Sequence, residues 1–218
     1  MEIEAKFRVE QAAIFADLLA QTRLGTCALV PTPGIEHQNN TYFDTPDRRL
    51  TSLGYSLRVR DLGRRRIGAL KRSLSSHAGI HTREEWEIEL GPGDHPRDWP
   101  ASPARARALA LLGDAALAPL VRILTKRQYM YAIRDAAVIA ELSLDEGTIL
   151  AGERSQSFLE LEVELLDGQP RAELDALVRE LRARYPLTPE HRGKKSRGLA
   201  LLDAAWARPA LERAVAHG

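Results

Sequence analysis

The chain has 218 residues, of which 28% are charged and 44% apolar, and a formal net charge of +1. That length suffices for a large core, and the even charge balance excludes the global basic field of a general nucleic-acid binder. Cys27 is the only cysteine, so no internal disulfide forms, as suits a reducing cytoplasm; no apolar run reaches the ~20 residues of a membrane span, no signal-peptide pattern opens the chain, and none of the six histidines has a zinc-site spacing.

In chain order, residues 2–9 read as a strand and 11–23 as a helix with Ala12, Phe15, Leu18 and Leu19 on one side. Pro31-Thr32-Pro33-Gly34 reads as a loop, and Thr41–Asp44 as a short strand ending in a turn at Thr45-Pro46-Asp47. A hairpin is predicted over 55–61 and 66–73, then a strand over 80–90 and a loop to Pro103. Short helices are expected at 104–112 and 114–120. Further hairpins are expected at 123–133 with 136–145, and at 148–153 with 157–166. Pro170 opens a helix carrying Leu174, Leu177, Val178 and Leu181, and a last helix starts near Ser196, carries Leu199, Leu202 and Trp206, and is interrupted at Pro209. About eight strands with helices between them predict an α+β fold, a closed antiparallel barrel.

Charge follows the strand period. Glu2, Glu4 and Lys6 share one strand face while Ile3, Ala5 and Phe7 share the other. Glu160, Glu162 and Glu164 repeat the pattern, as do Glu85 with Glu87 and Glu141 with Asp145. The opposite sign appears at Arg58, Arg60, Lys71, Arg83 and Arg127, with Lys194 and Lys195 before the last helix, and His81 is a candidate for the rim. A single charged strand face is ordinarily solvated. Several such faces of both signs point instead to a barrel with its charged side inward. Stacked carboxylates repel unless cations sit among them, and carboxylate oxygens suit Mg²⁺ or Mn²⁺. Arginine forks and lysine point charges suit phosphate. Together these are the parts of metal-assisted phosphoryl transfer.

The residues resemble the CYTH domain of the triphosphate tunnel metalloenzymes over nearly the whole chain. The likeness rests on Glu2-x-Glu4-x-Lys6, followed in order by Tyr42–Asp47, Leu57–Arg60, Leu70-Lys71, Gly79–Glu87, Arg127, Leu144-Asp145, Glu160–Glu164 and Gly193–Gly198. Within the family, the Gly79–Trp86 block and Pro186–Pro189 are most similar to bacterial inorganic triphosphatases in which a CHAD domain follows. The resemblance implies an eight-stranded tunnel spanning residues 1–202, with 203–218 as a helical tail or linker, and either a stand-alone CYTH protein or one cut before a CHAD domain. It implies that Glu2, Glu4, Asp145, Glu160 and Glu162 hold Mg²⁺ or Mn²⁺ and that Lys6, Arg58, Arg60, Lys71, Arg127 and Lys194 grip a linear triphosphate. Arg83 joins the grip from the charge pattern. Lys195 competes with Lys194, and Arg66-Ile67-Gly68-Ala69 is expected to loosen the wall.

The expected reaction is hydrolysis of inorganic triphosphate to pyrophosphate and phosphate, with Glu2, Glu4 and Lys6 at its centre and Glu87 or Glu164 accepting the proton. Adenylyl cyclases and organic triphosphatases share the grip. An aromatic content of 6%, with Trp86 expected to face outward and Trp99 and Trp206 to pack, favours a bare polyphosphate. A non-catalytic polyphosphate-binding module, or a barrel whose charges merely pair with one another, are the competing readings.

Overall fold

The computed structural model describes residues 2–77 and 79–215, with side chains at all of these except 76, 77 and 205–215. β1 (Glu2–Arg8) is followed by α1 (Ala13–Ala20), then by the small strands β2 (Arg23–Leu24) and β3 (Cys27–Pro31). β4 (Glu36–Asp44), the single-turn α2 (Arg49–Ser52), β5 (Tyr55–Asp61), β6 (Arg66–His77) and β7 (Ile80–Leu90) come next. α3 (Pro103–Leu112) leads into three long strands, β8 (Ala118–Arg134), β9 (Ala137–Ala151) and β10 (Arg154–Leu165). α4 (Arg171–Arg184), β11 (Thr188–Pro189) and α5 (Lys194–Val215) follow.

Every pairing is antiparallel. The strands run β8-β4-β5-β6-β7-β1-β10-β9, and β9 pairs back onto β8, so eight strands close a barrel. β2 and β3 extend the end of β8, and β11 edges β1. The expected α+β barrel is therefore the observed fold. Alternation decides which face goes where. Ala5, Phe7, Leu142, Leu144, Leu161 and Val163 point outward and are buried with Phe15 and Leu18 of α1 and Leu174, Leu177 and Leu181 of α4. Leu57, Val59 and Leu70 point outward beneath Trp99, Ala104, Ala108 and Leu112. Each fully buried side chain of this kind contributes roughly 1.5–3 kcal/mol, so the apolar cores lie outside the barrel wall and the charges are left within it. Val121, Ile123, Ile149 and Phe158 meet Leu199 of α5, which closes one end. There Gly198 is required, because a Cβ would lie 2.4 Å from Val121 Cγ1.

Several expectations are corrected. The helix expected at 114–120 is absent: Gly113, at φ 58°, ends α3, and Ala118 and Pro119 pair with Asp44 and Phe43. The break expected between 145 and 148 is also absent, because β9 passes straight through Gly147. The Phe158 ring fills the space where a Gly147 side chain would lie, its Cζ 2.7 Å from the Cβ position. α1 is shorter than 11–23, and β4 is longer than the strand expected at 41–44. β2, β3 and α2 were not expected. α5 runs on through Pro209, since a proline removes one hydrogen bond and bends a helix without having to end it. Residues 216–218 and the Trp206 side chain lie outside what is described. Among the described residues no helix is long and apolar enough to cross a membrane.

Candidate active site

The lumen is a cavity of about 650 Å³ whose walls carry almost all the charged residues singled out from the sequence. Register places them. β1 sets Glu2 opposite Arg83 and Glu4 opposite His81 on β7, and Glu4 opposite Glu164 and Lys6 opposite Glu162 on β10. β9 sets Asp145 between Glu160 and Arg127, and Glu141 opposite Glu164. β6 sets Lys71 opposite Glu85, and Ala69 between Arg58 and Glu87, so a small residue leaves room for the Arg58 side chain to cross.

The charges interlock. Lys6 Nζ lies 2.5 Å from Glu162 and 3.1 Å from Glu4, and Arg83 lies 2.5 Å from Glu4 and 3.6 Å from Glu2. Lys71 bridges Glu85 at 2.7 Å and Glu2 at 3.3 Å. Arg58 donates to Glu87 at 2.9 Å. Arg127 forks onto Asp145 with both bonds at 2.6 Å and also reaches Glu162 at 2.6 Å. His81 is buried at the lumen and bonds the Glu190 carbonyl through Nε2 at 3.0 Å, which holds the 190–193 loop against β7.

α5 delivers the last cations. Lys194 lies 2.7 Å from Glu162 and 2.9 Å from Asp145, and contacts Glu160. Arg197, one helical turn on, shares that face and pairs with Glu160. Lys195 lines another part of the cavity, away from these acids, donating to Thr51 Oγ1 at 2.8 Å and the Tyr55 carbonyl at 3.1 Å, with Asp44 4.0 Å away. Asp44 anchors the same corner, accepting from Leu50 N at 2.8 Å, Thr51 N at 2.9 Å and Thr51 Oγ1 at 2.6 Å. The Tyr42–Asp47 block is thus mostly a brace for α2 and α5.

The electrostatics separate two groups of acids. Burial would raise the Glu162 carboxyl, but Lys194, Lys6 and Arg127 outweigh it and hold it well below the usual range; Asp145 is held low in the same way by Arg127 and Lys194. Glu164 goes the other way. The surrounding protein, then the like charges of Glu2 and Glu4, push it up to about 8, although the side chain is open to the lumen, where water tempers the shift. Glu87 is held low, since Glu85 and Arg58 outweigh its partial burial.

This inward-charged barrel, with its ordered acid and base pairs, is matched by the CYTH domain family model over residues 1–198. The chain belongs to the CYTH domain family. The CYTH chain is 30% identical to an inorganic triphosphatase of Haemophilus influenzae over 141 residues, 62% of this chain and 38% of that protein. It thus spans well under half the length of that relative. Among solved structures it is similar to a Hippeastrum protein described as an adenylyl cyclase candidate with a dominant triphosphatase activity. The TM-score is 0.67 at 20% identity, covering 94% of this chain and 96% of that one. A Bacillus halodurans protein described as an adenylate cyclase candidate aligns with a TM-score of 0.60 at 20% identity, covering 88% and 94%. At these identities the structural likenesses speak for the fold.

All the carboxylates expected to bind metal, Glu2, Glu4, Asp145, Glu160 and Glu162, pair with cations, and among the described residues no three His, Cys, Asp or Glu side chains form a ready metal-holding group. The donor set nevertheless fits a hard divalent ion: it is all carboxylate oxygen, and Glu4 Oε1, buried between Arg83 and Lys6, makes ion pairs but no well-aligned hydrogen bond. Binding would exchange ion-pair partners for the metal. Of the expected aromatic positions, Trp86 packs outside the barrel beneath Arg107, and Trp99 is buried against Gly68. Gly68 faces outward, and the indole fills the space a side chain would take, so the wall is not loosened there. Sequence reasoning missed Glu36, Gln38 and Asn40 of β4, together with Tyr42, Tyr129 and Tyr131, all lining the cavity. The outward neighbours of the β4 residues, His37, Asn39 and Thr41, are polar too, so no apolar alternation betrayed the strand. The tyrosines were legible from alternation with Arg127 and from the Tyr42–Asp47 block. Arg197 was legible from its spacing to Lys194.

Proposed function

We infer that this CYTH domain hydrolyses inorganic triphosphate to pyrophosphate and phosphate inside the barrel. One observation carries the reading: a single lumen gathers Lys6, Arg58, Arg60, Lys71, Arg83, Arg127 and Lys194 around stacked carboxylates. A binding module for a polyanion needs only the cations. Glu2, Glu4, Asp145, Glu160 and Glu162 would hold Mg²⁺ or Mn²⁺, which when bound screens phosphate charge and lowers the pKa of water. The cations would release their carboxylates to bind phosphate oxygens and align the chain for in-line attack. Glu164, opposite Glu4 on β10, or Glu87, paired with Arg58, would take up the proton released by the attacking water. The inorganic triphosphatase named above supports the substrate.

A second reading is favoured by Tyr129 and Tyr131, half-buried on the lumen face of β8, where an organic group of a nucleoside or thiamine triphosphate has aromatic surface to meet. Phosphate release from inorganic triphosphate, ATP and thiamine triphosphate, with Mg²⁺ and with Mn²⁺, separates the two. The inorganic reading expects the highest kcat/KM for triphosphate and no cyclic AMP. ATP turnover equal to or above that rate, or cyclic AMP formation, overturns it.

A further inference from the structure

We propose that Asn40 is a positioning residue: by holding Arg60 with a neutral amide where a carboxylate would neutralise it, Asn40 keeps Arg60 free to bind the substrate's phosphate. The inference rests on the triphosphate assignment above and adds a residue and a device to it.

Apart from Arg65, which is exposed at the mouth, and Lys195, which lies 4.0 Å from Asp44, each of the other lumen cations has at least one close acid partner. Lys6 has Glu4 and Glu162, Arg58 has Glu85 and Glu87, Lys71 has Glu2 and Glu85, Arg83 has Glu2 and Glu4, Arg127 has Asp145 and Glu162, and Lys194 has all three acids of its corner. Among the described residues no carboxylate stands within ion-pair distance of Arg60. Its Nε donates instead to Asn40 Oδ1 at 3.0 Å, from the position directly across the β4–β5 ladder.

The amide is itself held in one orientation. Asn40 Nδ2 donates to Gln38 Oε1 at 3.3 Å, and Gln38 Nε2 donates to Glu36 Oε1 at 2.8 Å. Tyr129 donates to the same Glu36 oxygen at 2.7 Å. An ionised carboxylate only accepts, so a relay that begins at Glu36 must present each amide's NH₂ toward Glu36 and its oxygen toward Arg60. Asn40 and Gln38 are both buried, so water does not scramble that sense. Because Nε is the bonded atom, the two terminal nitrogens of Arg60 are left to fork onto a phosphate. Burial, then Arg58 and Arg127, lower the Arg60 guanidinium to about 10, the direction expected of a cation whose own counter-ion is missing. Unpaired charge in such a site is costly, and an incoming anion relieves it.

The test is calorimetric binding of inorganic triphosphate in EDTA to the full chain, which needs no turnover. Asn40→Asp gives Arg60 a carboxylate partner, and triphosphate Kd should rise at least about tenfold, ~1.4 kcal/mol. Asn40→Leu removes the tether alone and should raise Kd only a few-fold. In an Arg60→Gln background Asn40→Leu should cost nothing further, because a residue acting only through Arg60 has nothing left to position. Melting curves taken alongside should show folded variants, with Asn40→Asp at least as stable as Asn40→Leu. Asn40→Leu weakening binding as much as Asn40→Asp, or costing the same with and without Arg60, overturns the proposal. Failure of the wild-type chain to bind triphosphate overturns the substrate assignment and this inference with it. Wild-type binding with unchanged Asn40 variants overturns this inference alone.

Discussion

Lys194 and Lys195 are adjacent in sequence, yet the structure gives them opposite work, and replacing each with methionine separates the two. Lys194 lies 2.7 Å from Glu162 and 2.9 Å from Asp145 and also contacts Glu160. Removing one partner of a buried pair costs roughly 3–5 kcal/mol when the other is stranded. Here nothing is fully stranded, because Asp145 keeps Arg127, Glu162 keeps Lys6 and Arg127, and Glu160 keeps Arg197. The stability cost of Lys194→Met should therefore fall below that range, at about 1–3 kcal/mol. Activity should suffer more. A charge-assisted contact to phosphate is worth roughly 1.5–3 kcal/mol, or about 10–150-fold, and the acids it leaves behind are less well compensated. We expect kcat/KM for inorganic triphosphate to fall by about a hundredfold. Lys195→Met loses hydrogen bonds to Thr51 and the Tyr55 carbonyl, at 2.8 and 3.1 Å, which brace α2 and α5, and a loose ion pair to Asp44 at 4.0 Å, apart from the acids that Lys194 meets. It should cost about 1–2 kcal/mol of stability and leave kcat/KM within a few-fold. Denaturant melts and phosphate-release kinetics on both variants decide it. If Lys195→Met damages kcat/KM as much as Lys194→Met, the assignment of roles from this geometry is wrong.

Glu164, with its carboxyl raised to about 8, binds a proton more tightly folded than unfolded, so its contribution is fully present below the unfolded carboxylate range and is lost as pH rises toward 8. Metal-free Glu164→Gln should therefore melt higher than wild type at pH 8 and the same at pH 4; an equal difference at both would show that the raised affinity is absent. Gly68→Ala should lower Tm, because its Cβ would stand 2.7 Å from Trp99 Cζ2 inside a packed core, an overpacking cost of about 1–3 kcal/mol; an unchanged melt would place the indole elsewhere. Glu4→Gln removes charge from the acid set and should abolish both Mg²⁺-dependent turnover and any Mg²⁺-induced rise in Tm, whereas retention of the Tm rise would remove Glu4 from the metal site.

Local chemistry determined more of this protein than its modest composition suggests. Alternation in Glu2–Phe7, Tyr55–Arg60 and Glu160–Glu164 sorted charged from apolar faces correctly, because a strand's period of two leaves no other choice. That sorting implied a closed barrel with an inward charge, since so many charged faces of both signs have nowhere else to pair. Tertiary structure decided what alternation could not. Segment 114–120 carries alanines that suit a helix, but pairing with β4 makes its end the start of β8. Strands expected to end at 145 and restart at 148 are one strand, and the ring that fills the space at Gly147, Phe158, lies on another strand. β4 carries polar residues on both faces at 36–41, so only its neighbours β5 and β8 reveal it as a wall of the lumen. Which lysine of a Lys-Lys pair reaches Asp145, Glu160 and Glu162 depended on the direction in which α5 docks. That Arg60 faces an amide where an acid could stand depended on register across β4 and β5, a long-range pairing that no local period encodes.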